Sequence, residues 1–192
     1  MEALEALLTR RTVPPALMGE PGPDDRALAT MFAAAAAAPD HGRLRPWRFL
    51  VVRGAARERL GALFARALAA EQPDLSAEER EKLRAAPSRA PLVIVAVARL
   101  DPAHPKIPEI EQIAAAAAAV QNLLLAAHAL GFAAKWSTGK PAYSGLVREG
   151  LGLGAGERIL GFVYLGSPKG APAPIERPMP SDRVALWEGP GT

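Results

Sequence analysis

The sequence predicts an α+β fold, rich in helix around a small central sheet. Three observations carry that expectation. Leu92–Ala98 (LVIVAVA) is apolar at every position and rich in β-branched residues, the pattern of a strand covered on both faces. Ile110, Ile113, Ala117, Val120, Leu124 and Ala127 recur at steps of three and four, which predicts a long central helix closed by Gly131. The remaining strand-like runs do not alternate regularly with helices, which argues against a doubly wound nucleotide fold.

The other elements follow in chain order. Ala3, Leu4, Leu7 and Leu8 sit at helical spacing, and Arg10-Arg11-Thr12-Val13-Pro14-Pro15 ends that helix. Asp24 or Asp25 caps a second helix with Leu28, Met31, Phe32 and Ala35 on one face. It stops at Pro39, and a loop of turn residues leads to Trp47. Arg48–Arg53 reads as a strand. Leu60, Leu63, Phe64, Ala67 and Leu68 mark a third helix, and Ser76-Ala77-Glu78-Glu79 is a capping box opening a fourth. Phe132–Trp136 reads as a short strand, Ala142–Glu149 as a short helix and Arg158–Leu165 as an apolar strand. Pro168, Pro172, Pro174, Pro178 and Pro180 crowd the end, so residues 168–192 are expected to form an extended arm on a surface of this chain or a partner's. Residues 1–192 are read as a single domain.

Composition narrows the chemistry. The chain has no cysteine, which removes disulfides, thiolate nucleophiles and Cys-ligated metal. His41, His104 and His128 are the only histidines, and no pair has metal-ligand spacing. The start MEALEALLTRR lacks the basic region of a signal peptide. Ile113–Leu130 is mostly alanine, is broken by Gln121, Asn122 and His128, and is expected to fall short of a membrane span. A cytoplasmic protein without a membrane partner is the expectation. The net charge of +3 favours anionic partners, and the scattered arginines lack the basic-aromatic pattern of a nucleic-acid binder.

Four segments can carry function. Arg10-Arg11-Thr12 offers two guanidiniums and a hydroxyl, a good phosphate set. On the residues alone, two solvated arginines favouring a helix C-terminus is the plainer reading. His41 either stacks on or hydrogen-bonds to a planar ligand, or fixes its loop through Asp40. Trp136-Ser137-Thr138 either lines a flat ligand or makes a plain turn, and Trp47 either meets a ligand or anchors a strand. Gly150, Gly152 and Ala155 fit a loose dinucleotide pattern but follow a helix, the wrong context. No Ser-His-Asp set and no Walker loop is present. A chain so poor in its own chemical tools suits an enzyme whose cofactor carries the chemistry.

Taken together and in order, ALEALLTRRT (3–12), APDHGRLRPWRFLVV (38–52), SRAPLVIVAVA (88–98), KIPEIEQ (106–112), AHALGFAAKWSTG (127–139) and ILGFVYLGSP (159–168) resemble the nitroreductase family of FMN oxidoreductases, its small YdjA-type members above all. The resemblance implies a nitroreductase-like α+β fold with a mixed or antiparallel sheet covered by helices, and a homodimer holding FMN at its interface. It implies that Arg10, Arg11 and Thr12 bind FMN, given by one subunit to the other's site, and that His41, Trp136, Ser137 and Thr138 also contact FMN. Ala126–Gly131 matches a stretch associated with the nicotinamide nucleotide, although its residues read as helix packing. The implied activity passes hydride from NADH or NADPH through FMN to a small acceptor such as a nitroaromatic or quinone. The flavin N5 carries that chemistry, so no side chain is expected to be an obligatory acid or base, and no metal is needed. A non-catalytic flavin-holding protein on the same scaffold is the alternative. Three positions depart from close relatives. Ala37 stands where arginine is usual, Arg45 where glutamine is usual and Ser137 where arginine is usual.

Overall fold

The computed structural model describes residues 1–170, 176–177, 181 and 183–189. The first helix, α1 (Ala3–Thr9), is followed by a two-residue strand, β1 (Met18–Gly19). Next come α2 (Asp25–Ala36), β2 (Trp47–Arg53), α3 (Ala56–Glu71) and α4 (Ala77–Ala85). The long strand and long helix are β3 (Leu92–Arg99) and α5 (Glu109–Ala129), followed by β4 (Ala133–Ser137), α6 (Gly145–Gly150) and β5 (Glu157–Pro168). Asp24 caps α2 by accepting from the Ala27 amide at 2.8 Å, and Ser76 with Glu79 closes the expected capping box on α4.

The sheet forms around β5. Strand β3 lies between β2 and β5, while β4 and β1 also pair with β5, and every pairing is antiparallel. The expected mixed or antiparallel sheet is thus antiparallel among the described strands. Alternation along β3 builds two cores. Val93, Val95 and Val97 join Phe64, Leu68 and Phe162 under α3, α4 and α6. Leu92, Ile94 and Ala96 join Met31, Val120 and Leu123 under α2 and α5. This explains why β3 has no polar position before Arg99. Each large apolar side chain so buried contributes roughly 1.5–3 kcal/mol.

Register slips once. Gly161 lies opposite Ala96 and Ile159 opposite Val97, so Leu160 is the extra residue of a β-bulge. The Trp136 indole N–H donates to the Leu160 carbonyl at 2.9 Å. Gly161 has φ +142, and a Cβ there would lie 2.5 Å from Trp136 Nε1 and 2.8 Å from the Ser137 carbonyl oxygen. The bulge therefore needs glycine so that the end of β4 can close over it.

Several expectations are corrected. The Leu4, Leu7 and Leu8 stripe is exposed, and Ala6 is the buried residue of α1. In α5 Val120, Leu124 and Ala127 of the expected stripe are buried, together with Gln112, Ala115, Ala116, Ala119 and Leu123, while Ile110 is exposed and Ile113 and Ala117 are half-buried. The apolar residues of α5 spread round most of the helix, so periodicity alone did not place the core side. By length and composition α5 is long and apolar enough to cross a membrane, contrary to the expectation for Ile113–Leu130. Here eight of its residues are buried in the fold. Strand β1 has too few residues to show a pattern. The Ala142–Glu149 helix is a 3-10 turn (Lys140–Tyr143) followed by α6. Of the expected proline arm, Pro172, Pro174, Pro178 and Pro180 lie outside the described residues. Glu176–Arg177 and 184–189 form neither helix nor strand.

Candidate functional site

The expected site residues fall into two groups at opposite ends of α5. At the C-terminal end, α1 is tied down by a short relay. Thr9 donates its hydroxyl proton to the Glu5 carbonyl at 2.6 Å, and His128 of α5 lies 2.8 Å from Thr9 Oγ1. Because the hydroxyl has only one proton, His128 Nε2 must be the donor in that contact. Burial lowers the His128 pKa first, and Arg10 and Arg11 lower it further. The ring is therefore neutral beside two cations near neutral pH.

From α1 the chain runs extended, and the Val13 amide donates to the Ala134 carbonyl at 3.0 Å. This bond lays the Arg10-Arg11-Thr12 segment against the start of β4, the strand that ends at Ser137. Arg10 is partly buried, which lowers its pKa, as does Arg177 nearby. Arg177 donates to the Arg10 carbonyl and, at 3.4 Å, to the Leu7 carbonyl. The exposed carbonyls at the end of α1 are thereby satisfied by a cation, and three guanidiniums collect at one place. A cavity of about 280 Å³ opens here, lined by Arg10, Arg11, Leu124, His128, Gly131 and Phe132 among others. Its mouth is cationic and its walls largely apolar, the combination that holds a phosphate on an organic body. Sequence reasoning missed Arg177, whose placement depends on a chain return no local pattern reveals. The Ala126–Gly131 stretch does reach this cavity, through His128 and Gly131.

Trp136 and Ser137 finish β4 half-buried, and Thr138 is exposed beyond it. Gly139 turns the chain with φ +62. With the indole N–H already bonded to Leu160, Trp136 offers its ring rather than a donor. Trp47 is half-buried against the core under α2 and α5, the strand-anchoring alternative. Gly150, Gly152 and Ala155 lie in and after α6, and no strand leads into them.

At the N-terminal end of α5 stands His41, in a 3-10 turn (His41–Arg43). Its Nδ1 lies 2.6 Å from Glu111 Oε2. A carboxylate only accepts, so Nδ1 carries the hydrogen and, in the neutral ring, Nε2 is left as an acceptor. The alternative of a local His41–Asp40 bond is not what forms. Asp40 instead accepts the Arg45 amide at 2.7 Å. That bond holds a backbone in which Gly42, Arg43 and Arg45 have φ +70, +56 and +49. Left-handed geometry costs a non-glycine residue roughly 1–2 kcal/mol, so the loop is held by its contacts.

The two groups are far apart in one chain. Glu111, which anchors His41, and His128, which anchors α1, are seventeen residues apart on α5, or about 25 Å at 1.5 Å per residue. Arg10, Arg11 and Thr12 share their end of the molecule with β4, whereas His41 does not. One copy of the chain does not bring all the expected residues to one ligand.

The match to the model of the Nitroreductase family spans residues 7–167, and the chain belongs to that family. YdjA of Escherichia coli (strain K12), assigned by name to the NAD(P)H nitroreductases, is 39% identical over 170 residues, covering 88% of this chain and 90% of YdjA. A nitroreductase-like family protein from Bacillus cereus superposes with a TM-score of 0.83 at 26% identity, covering 98% of this chain and 97% of that one. A nitroreductase-fold structure from Desulfovibrio desulfuricans, solved in complex with FMN, gives a TM-score of 0.70 at 24% identity over 97% of both chains, a likeness of fold. The sequence-based family and fold are thereby confirmed.

Proposed function

We propose that this chain is an FMN-dependent NAD(P)H oxidoreductase. It works as a homodimer and reduces a small acceptor such as a nitroaromatic or quinone. The observation that carries this reading is the split of the site between the two ends of α5. Arg10, Arg11 and Arg177 suit a phosphate dianion, and Thr12 adds a hydroxyl. Trp136 and Ser137 end the strand that starts beside them, Thr138 follows it, and in this reading the three line the isoalloxazine. Bound FMN supplies the hydride chemistry at its N5. His41, about 25 Å along α5, then serves the flavin of the partner subunit rather than its own. The resemblance had put the whole Arg10-Arg11-Thr12 segment across the seam. The contact from Val13 to Ala134 supports the opposite division, with His41 as the crossing residue.

The surface supports a second copy. Leu4 and Leu8 of α1 are 71% and 72% exposed. Such an apolar face calls for cover. FMN in the Desulfovibrio desulfuricans structure and the naming of the Escherichia coli relative support the cofactor and the reductant. We read residues 1–192 as one domain acting in the cytoplasm, where a chain without cysteine has no disulfide to lose.

The test is optical. The purified protein is expected to be yellow or to become yellow with FMN, and NADH or NADPH should bleach it without oxygen. A yellow protein that no nicotinamide bleaches would be the flavin-holding alternative. A colourless protein that cannot be loaded would end the reading.

A further inference from the structure

A larger cavity than the one at the Arg10–Arg11 cluster lies elsewhere. It measures about 660 Å³ and lies at the His41 end of α5, lined by Arg45, Arg48, Arg99, Asp101, Gln112 and Glu157 among others. Its walls are fastened to one another. The Arg99 amide donates to the Pro46 carbonyl at 3.0 Å, and the Leu100 amide to the Gly156 carbonyl at 2.7 Å. Gln112 is 2% exposed and all its bonds serve this wall. Its carbonyl accepts the Asp101 amide, and its NH₂ donates to the Asp101 and Ile107 carbonyls.

The charges of this cavity are unevenly matched. Arg48 is held by both oxygens of Glu157, at 3.0 and 3.1 Å. Glu157 also accepts the Gly154 amide, and Asp101 accepts the Ala103 amide. Burial raises the Glu157 pKa, but Gly154, Arg48 and Arg99 outweigh it and hold the carboxyl ionised. Among the described residues no carboxylate forms an ion pair with Arg45 or Arg99. Arg45 stands at φ +49, a conformation that persists where surrounding structure imposes it and that clusters at ligand clamps. Two guanidiniums outside any ion pair at this cavity, Arg99 acting on Glu157 only at longer range, suit a phosphate or pyrophosphate.

We infer that the cavity between Arg45 and Arg99 binds the phosphates of the nicotinamide dinucleotide that reduces the partner subunit's flavin. This rests on the proposed function, which brings His41 to that flavin. Leu44 of the cavity wall is three residues from His41, within about 10 Å of extended chain. A nicotinamide lying on the flavin then has its phosphates leaving past His41 onto Arg45 and Arg99. The pocket thus serves the site across the seam.

The test compares wild type with Arg45→Gln, Arg99→Gln and the double variant, each loaded with FMN and checked for unchanged circular dichroism. Inorganic pyrophosphate is titrated by calorimetry. Reduction rates are measured with NADPH, with NADH and with 1-benzyl-1,4-dihydronicotinamide, which carries no phosphate. Each lost arginine should weaken pyrophosphate binding about tenfold and raise KM for the dinucleotides by a similar factor. The change should sit in KM rather than kcat, and the preference for dinucleotide over the benzyl compound should fall accordingly. Loss of preference for NADPH alone would place the 2′-phosphate there, and loss for both would place the pyrophosphate. Unchanged pyrophosphate affinity and unchanged preference in the double variant would overturn the assignment while leaving the reductase reading intact. A wild-type protein that none of the three compounds reduces would instead remove the reductase reading, and this assignment with it.

Discussion

The two ends of α5 gather cationic side chains by different means. At the C-terminal end, helix and strand position the cationic groups: α1 is pinned by Thr9 and His128, and Val13 docks on β4. At the N-terminal end, a strained loop positions them, held by Asp40 and Glu111. The first end is ordinary backbone with charged side chains attached. The second keeps Arg43 and Arg45 in left-handed geometry. The difference teaches where adjustment is tolerated. Changes near Arg10 should alter affinity without altering shape, whereas changes that remove the Asp40 contact of the 40–45 loop should alter shape first.

The largest expected effect would break the comparison outright if it failed. Arg10→Ala with Arg11→Ala should lower FMN affinity at least tenfold and leave the fold intact, since a charge-assisted bond is worth roughly 1.5–3 kcal/mol. Chains carrying that pair, mixed with chains carrying His41→Ala, should regain one complete site in every mixed dimer. Flavin titration of the mixture then shows a tight fraction that neither parent has. If each chain built its own site, no such fraction would appear.

Next in size is Gly161→Ala, which tests how the end of β4 is held. The added Cβ meets Trp136 Nε1 at 2.5 Å in a backbone region that alanine avoids. A loss of about 2–4 kcal/mol in denaturant unfolding is expected, with the 136–138 segment displaced. Trp136→Phe, which removes the bond to Leu160 and part of the ring packed on the core, should cost about 1–3 kcal/mol.

The smallest effect concerns pH and sharpens the contrast between the two histidines. Burial and the neighbouring arginines lower the His128 pKa from its ordinary 6.5. As pH falls through 6.5 the unfolded chain takes up a proton at this residue before the folded chain does, so stability drops. His128→Asn should flatten the stability profile between that pH and the lower folded pKa. The groups facing the ring are Thr9, Glu5, Arg10 and Arg11. An anion bound at the arginines should raise the proton affinity of His128 and shrink the slope, which ligand-present melts can measure.

Much of the fold was legible because local pattern and burial agree in it. Leu92–Ala98 could be read as a doubly covered strand because both cores draw on its alternation. The capping box at Ser76 was legible because its partners lie three residues apart. The site was legible by segment but not by assembly. Nothing local joins His41 to Glu111, seventy residues on, or Arg177 to Arg10. The spacing of Leu4 and Leu8 revealed the helix but not their exposure, because spacing marks a face without saying what covers it.

Helix α5 also acts as a measuring rod. It holds Glu111 near one end and His128 near the other, and in the proposed homodimer each rod would serve both sites. One added residue would advance one anchor by about 1.5 Å and swing it by about 100° around the axis, and a whole added turn would lengthen the gap by about 5.4 Å. No insertion preserves both spacing and bearing. The middle of α5, largely alanine, should therefore accept exchanges of similar volume while a single insertion or deletion disables both sites at once.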